Sequence, residues 1–60
     1  MKAKEILAIA EDYALMKGDD DWFSETFNTF RESYNVRKSV ELTLLYMYGE
    51  DVCEMLIGEK

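Results

Sequence analysis

No proline occurs anywhere in this chain, and its only glycines stand at 18, 49 and 58. Proline inside a helix removes a backbone donor and clashes with the preceding turn, so its absence leaves every long stretch open to helix. Glycine just past a helix adopts the left-handed conformation without steric cost, so those three positions read as stops.

The stretch from Ala3 to Lys17 sets Ile6, Ile9, Ala10, Tyr13 and Met16 at helical spacing, with Leu7 and Ala14 widening the stripe. Lys17 suits the negative end of that helix and Gly18 its cap. Asp19, Asp20 and Asp21 follow. One is placed to cap the next helix, and the others lie at its positive end. From about Trp22 to Tyr34, the residues Phe23, Phe27, Phe30 and Tyr34 form a wholly aromatic stripe opposite Ser24, Asn28, Arg31 and Glu32. Asn35 reads as a turn residue.

Beyond Asn35 two templates compete. Val40, Leu42, Leu44, Tyr46 and Tyr48 alternate as a strand would. Val36, Val40, Leu44, Tyr48, Val52 and Met55 form an unbroken helical stripe, with Leu45 and Leu56 beside it. The helical template takes in more residues, and a lone strand would have no partner. A helix from about Val36 to Ile57 is therefore expected, kinked or broken at Gly49. Glu50 and Asp51 would suit the start of a new short helix. The whole, residues 1–60, is read as a single all-α domain: a compact three-helix bundle, or four short helices if the chain breaks at Gly49.

A domain of this length hides only roughly 60% of its unfolded surface. The sequence is nonetheless 48% apolar and carries eight aromatic residues. That composition excludes a disordered chain, and small domains with surplus apolar surface often associate. Leu15, Trp22, Leu42 and Tyr46 lie off the main stripes of their helices. Leu15 and Trp22 also flank the same Gly18 turn, where a partner or a second copy would find them. Met16, Met47 and Met55 are read as core fillers rather than a binding surface.

Thirteen acids face seven bases, a formal charge of −6. Phosphate backbones and anionic membranes repel such a chain, so neither direct nucleic-acid binding nor membrane binding is expected. Arg31, Arg37 and Lys38 are the only basic focus, too thin for a helix–turn–helix reader. The single cysteine, Cys53, and the lack of histidine fit a reducing, cytoplasmic setting. Ile6 to Ala10 is too short for a signal-peptide core, and no apolar run approaches a membrane span.

The candidate chemistry is thin. Counted as a calcium loop from Asp19, the fifth and sixth positions are Phe23 and Ser24, where an oxygen ligand and a glycine are needed. Counted from Asp20, the sixth is Glu25. Glu50, Asp51 and Glu54 form an acidic cluster, but without histidine they match neither a di-metal bundle nor a zinc site. Cys53 has no histidine to activate it, and its acidic neighbours disfavour a thiolate. No metal, cofactor or enzymatic activity is therefore expected.

The expected function is a protein-binding module. It would be a small acidic inhibitor or adaptor that docks on a basic surface of a larger protein through Leu15, Asp19, Asp20, Asp21, Trp22, Glu50, Asp51 and Glu54. Nucleic-acid mimicry, in which spaced carboxylates fill a phosphate-binding groove, is its sharper form. A self-assembling homodimer is the alternative.

Overall fold

A computed structural model of the protein describes residues 1–58. Among these residues are four helices: α1 (Ala3–Met16), α2 (Asp20–Arg31), α3 (Val36–Tyr48) and α4 (Glu50–Ile57). No strand occurs among the described residues, so the alternation from Val40 to Tyr48 is incidental. No helix among them is long and apolar enough to cross a membrane. Helix α3 is the hub and packs against each of the others, whereas α2 and α4 do not meet.

Local chemistry accounts for the helix ends. The Lys2 amide donates to Glu5 Oε1 at 2.8 Å at the start of α1. At its other end the Gly18 amide donates to the Leu15 carbonyl and the Asp19 amide to the Ala14 carbonyl, at 3.0 and 2.8 Å. This pair of bonds is a Schellman cap, and it requires the positive φ of 76° that Gly18 adopts. Asp19 takes the N-cap position of α2 but makes no capping bond with its side chain. Asn35 caps α3, its Oδ1 accepting from the Lys38 amide at 2.9 Å. Gly49 both ends α3 and starts α4, with φ 95° and ψ 179°.

The core consists of Ile6, Ala10, Ala14, Phe23, Val40, Leu44 and Cys53, with Leu7, Phe27, Val36, Met47, Tyr48, Leu56 and Ile57 packed around it. On α1 the buried row runs Ile6, Ala10, Ala14. Met16 lies two positions past that row, about 200° around the helix. It is 72% exposed, which corrects the expectation that it fills the core. Met55 is likewise 66% exposed. The backbone at Gly49 re-aims α4, so Cys53 becomes its buried residue and the stripe extrapolated from α3 through Val52 and Met55 does not continue. Met47 does pack on the core. Of the aromatic stripe on α2, Phe23 is buried, Phe27 and Phe30 are half-buried, and Tyr34 is exposed.

Ser39 and Thr43 are fully buried on α3, although neither belongs to an apolar stripe. Their hydroxyls are satisfied within the chain. Thr43 Oγ1 donates to the Ser39 carbonyl at 2.6 Å, and Ser39 Oγ to the Tyr34 carbonyl at 3.3 Å. Small side chains so bonded can sit in a core without leaving an orphaned polar group.

A polar bracket ties the two glycine turns together. The Tyr48 hydroxyl donates to Asp19 Oδ2 at 2.9 Å. The Tyr48 ring meets Tyr13 edge-on, with centroids 5.1 Å apart, and Lys17 Nζ lies 5.5 Å from the Tyr13 ring centroid. Burial, then the bond to Asp19, pushes the Tyr48 phenol up to about 12 from its ordinary 10. A folded-state value above the unfolded one contributes stability below pH 10 that is lost as the pH rises through 12. Tyr48→Phe is expected to cost about 1 kcal/mol at neutral pH. It should also flatten the fall in urea midpoint between pH 10 and 12 relative to the parent; equal alkaline losses in both proteins would remove the phenol as the cause.

Candidate functional site

The acids are at the surface. Glu5, Glu11, Asp12, Asp20, Asp21, Glu25, Glu32, Glu50, Asp51 and Glu54 are all exposed, and Asp19 and Glu41 are half-buried. Glu59, the remaining acid, lies outside the described residues. Lys38 Nζ and Glu41 Oε1 form an ion pair at 3.4 Å across i, i+3. Such an exposed pair contributes little stability.

Grooves indent the surface of the described residues at three helix junctions. The first lies between α1 and α2, has a volume of about 280 Å³, and runs alongside the Gly18 turn. Leu15, Ala14 and Phe23 supply its apolar part, and Glu11, Asp12 and Asp20 its carboxylates; no basic side chain among the described residues lines it. Phe23 and Ala14 are buried floor, while Leu15 stands 63% exposed at the edge. The expected site residues Leu15 and Asp20 thus come together here, and Glu11 and Asp12 join them. Sequence reasoning placed those two acids off the apolar stripe without connecting them to a site. The available signal was their i, i+3 and i, i+4 spacing to Leu15, which puts all three on one flank of α1.

The other expected residues at this corner have different surroundings. Trp22 is 47% exposed on α2 and does not line the groove. Asp21 is exposed beside it in the first turn of α2. Asp19 is occupied by the bond from Tyr48.

The second groove, about 360 Å³, lies between α3 and α4. It gathers Glu50 and Glu54 with Glu41, Cys53, Leu45 and Arg37; Asp51 is exposed but does not line it. The Arg37 guanidinium donates to the Met1 carbonyl. Cys53 is 7% exposed, and its Sγ lies 3.9 Å from the Glu41 carbonyl. Burial, then Glu41, Glu54 and Glu50, pushes the Cys53 thiol above its usual range. A thiol held protonated in this way is a poor nucleophile. Among the described residues, no group of three or more Cys, Asp or Glu is arranged to hold a metal ion.

The third groove, about 240 Å³ between α2 and α3, is uncharged and lined by Thr26, Thr29, Phe30 and Tyr46. Tyr46 is 69% exposed, and Leu42, one turn before it, is half-buried.

Arg31, Arg37 and Lys38 lie at the opposite end of α2 from the acidic corner, whereas Lys17 adjoins the Gly18 turn with its Nζ over the Tyr13 ring. Arg31 closes α2, and its Nη1 donates to the Tyr34 carbonyl at 2.7 Å. Arg37 and Lys38 open α3. A helix of α2's length separates this end from Asp20 by about 17 Å, beyond the roughly 8–10 Å over which charge is felt in physiological salt. Comparison of the chain with protein-family models, with curated proteins and with solved structures finds no match.

Proposed function

We propose that this protein is a non-enzymatic protein-binding module, a small acidic inhibitor or adaptor that docks on a basic surface of a larger protein. The observation that carries this reading is the corner around Gly18. Glu11, Asp12 and Asp20 line one groove there with the exposed Leu15, while Asp21 and Trp22 are exposed on the first turn of α2 outside that groove. The three carboxylates that share the groove combine their fields, which steers a basic partner toward it. Leu15 then offers the apolar contact that holds it. Glu50, Asp51 and Glu54 extend the negative surface onto α4. Nucleic-acid mimicry is the sharper form of the proposal: the carboxylates would occupy a phosphate-binding groove on the partner.

The test uses the partner recovered from native host lysate. Asp20→Lys with Asp21→Lys should slow association at least tenfold at low salt and weaken its salt dependence, with the helical fold retained at the cost of a lowered melt, since both acids sit in the first turn of α2. Asp19 is left intact because it accepts the Tyr48 bond, and its reversal would also disturb the fold. A partner captured through an acidic or wholly apolar surface, bound equally well at all salt concentrations, would overturn the proposal. Under mimicry, DNA or RNA should compete for the partner.

Self-assembly is the alternative, favoured by the uncharged groove between α2 and α3. Two copies of a −6 chain repel, and the four residues that line this groove bring no charge to the contact. A standard interface takes about 800 Å² per partner, a large share of the 4131 Å² that this chain exposes. Sedimentation equilibrium with Tyr46→Ser decides it: a dimer lost in that variant supports self-assembly, and a monomer at all concentrations rejects it.

A further inference from the structure

We infer that the groove between α1 and α2 is the docking site for a basic amphipathic segment of a partner protein, one that presents a lysine or arginine beside an apolar side chain. The inference rests on the basic-partner reading above and narrows it to one place and one kind of segment. Leu15, Ala14 and Phe23 form an apolar trough, and the three charged residues around it are all acids. That pairing selects its occupant by chemistry. A purely apolar segment would strip water from Glu11, Asp12 and Asp20 with nothing to replace it. A purely basic one would leave Leu15 in water. A lysine or arginine matches both parts, because its methylene stem lies along apolar surface while its charged head stays at the polar edge. An apolar neighbour on the same segment covers Leu15. The volume of about 280 Å³ accommodates a side chain or two rather than a whole helix, so the partner contributes a short anchor and the rest of its contact lies outside the trough. The other grooves lack this combination: one is uncharged, and the other already contains Arg37.

Three synthetic peptides of equal length test the assignment by titration into the isotope-labelled full chain, followed by amide NMR. One is a leucine–lysine peptide with helical amphipathic spacing. The second is a lysine homopolymer, and the third is the amphipathic peptide with glutamine for lysine. The leucine–lysine peptide is expected to bind most tightly, with shifts centred on residues 11–15 and 20–24. Leu15→Ser, at a position 63% exposed and so dispensable for folding, should weaken it about tenfold. Asp12→Asn with Asp20→Asn should do the same and weaken its salt dependence, with Glu11 left in the groove. If the homopolymer binds as well and Leu15→Ser has no effect, the contact is charge alone; the groove assignment falls and the basic-partner reading stands. Equal binding of the glutamine peptide overturns the cationic requirement. Failure of all three peptides overturns both.

Discussion

Leu44→Ala is expected to destabilise the protein by about 3–5 kcal/mol, the range for a large side chain removed from a packed core. Leu44 is fully buried at the centre of α3, the helix on which the other three converge. A cavity there cannot be closed by one neighbour without pulling on the rest. Marginal stability of roughly 0.05–0.15 kcal/mol per residue implies a total of about 3–9 kcal/mol for a chain this short. The variant should therefore lose at least about a third of its stability, visible as a urea midpoint lowered by that fraction or more, down to lost helical circular dichroism. Phe23→Ala belongs in the same class, since Phe23 is 2% exposed and stacks on Phe27 with centroids 5.9 Å apart. Phe27→Ala should cost less, because half-burial has already left part of that ring in water. A Leu44→Ala protein that melts like the parent would mean that α3 is not the hub.

Gly49→Ala is the second large effect. At φ 95° and ψ 179° the residue occupies a region that essentially only glycine enters. A methyl group there would meet no neighbour, so the penalty is backbone strain and not crowding. Strain of this kind is worth about 1–3 kcal/mol. The variant has an escape: the substituted alanine could turn helical and fuse α3 to α4 in one continuous helix. That would carry Cys53, Leu56 and Ile57 away from the core, where they now pack. Either route should lower the urea midpoint substantially, and the second should also raise the helical signal and expose the Cys53 thiol to a disulfide reagent. Gly18→Ala is the matched control. Its φ of 76° also lies in the left-handed region with open space around the Cβ, but a helix-capping glycine replaced by alanine typically costs about 1 kcal/mol. A Gly49→Ala protein as stable as the parent would show that the break between α3 and α4 is not held by the glycine.

The glycine positions and the apolar periodicity carried the all-helical class and the elements of the structure, because both act within a few residues of chain. The Gly18 turn caps α1 by bonds from the Gly18 amide to Leu15 and from the Asp19 amide to Ala14, all near neighbours. Asn35 caps α3 through Lys38 three residues on. Such signals survive in sequence because nothing distant is needed to complete them. The choice among apolar residues was different. Met16 and Met55 sat on plausible stripes yet face water, while Ser39, Thr43 and Cys53 are buried. A stripe wide enough to be read is wider than the contact it makes, and only the positions of neighbouring helices decide which edge is covered. For Cys53 the deciding fact is the dihedral pair at Gly49, which sets the direction of α4.

The candidate site divides along the same line. Net charge, the acids around Gly18 and the off-stripe position of Leu15 were legible in the sequence, as sums or local offsets. That Asp19 accepts a bond from Tyr48, 29 residues away, was not. Nor was the separation of Trp22 from the Leu15 groove, nor the arrival of Glu11 and Asp12 at that groove beside Asp20. Composition and periodicity determined that this chain folds into helices with an acidic surface. Which carboxylates share a groove with which apolar side chains was decided only by the crossing of α1 over α2, because charge and apolar area have no address until two helices are placed side by side.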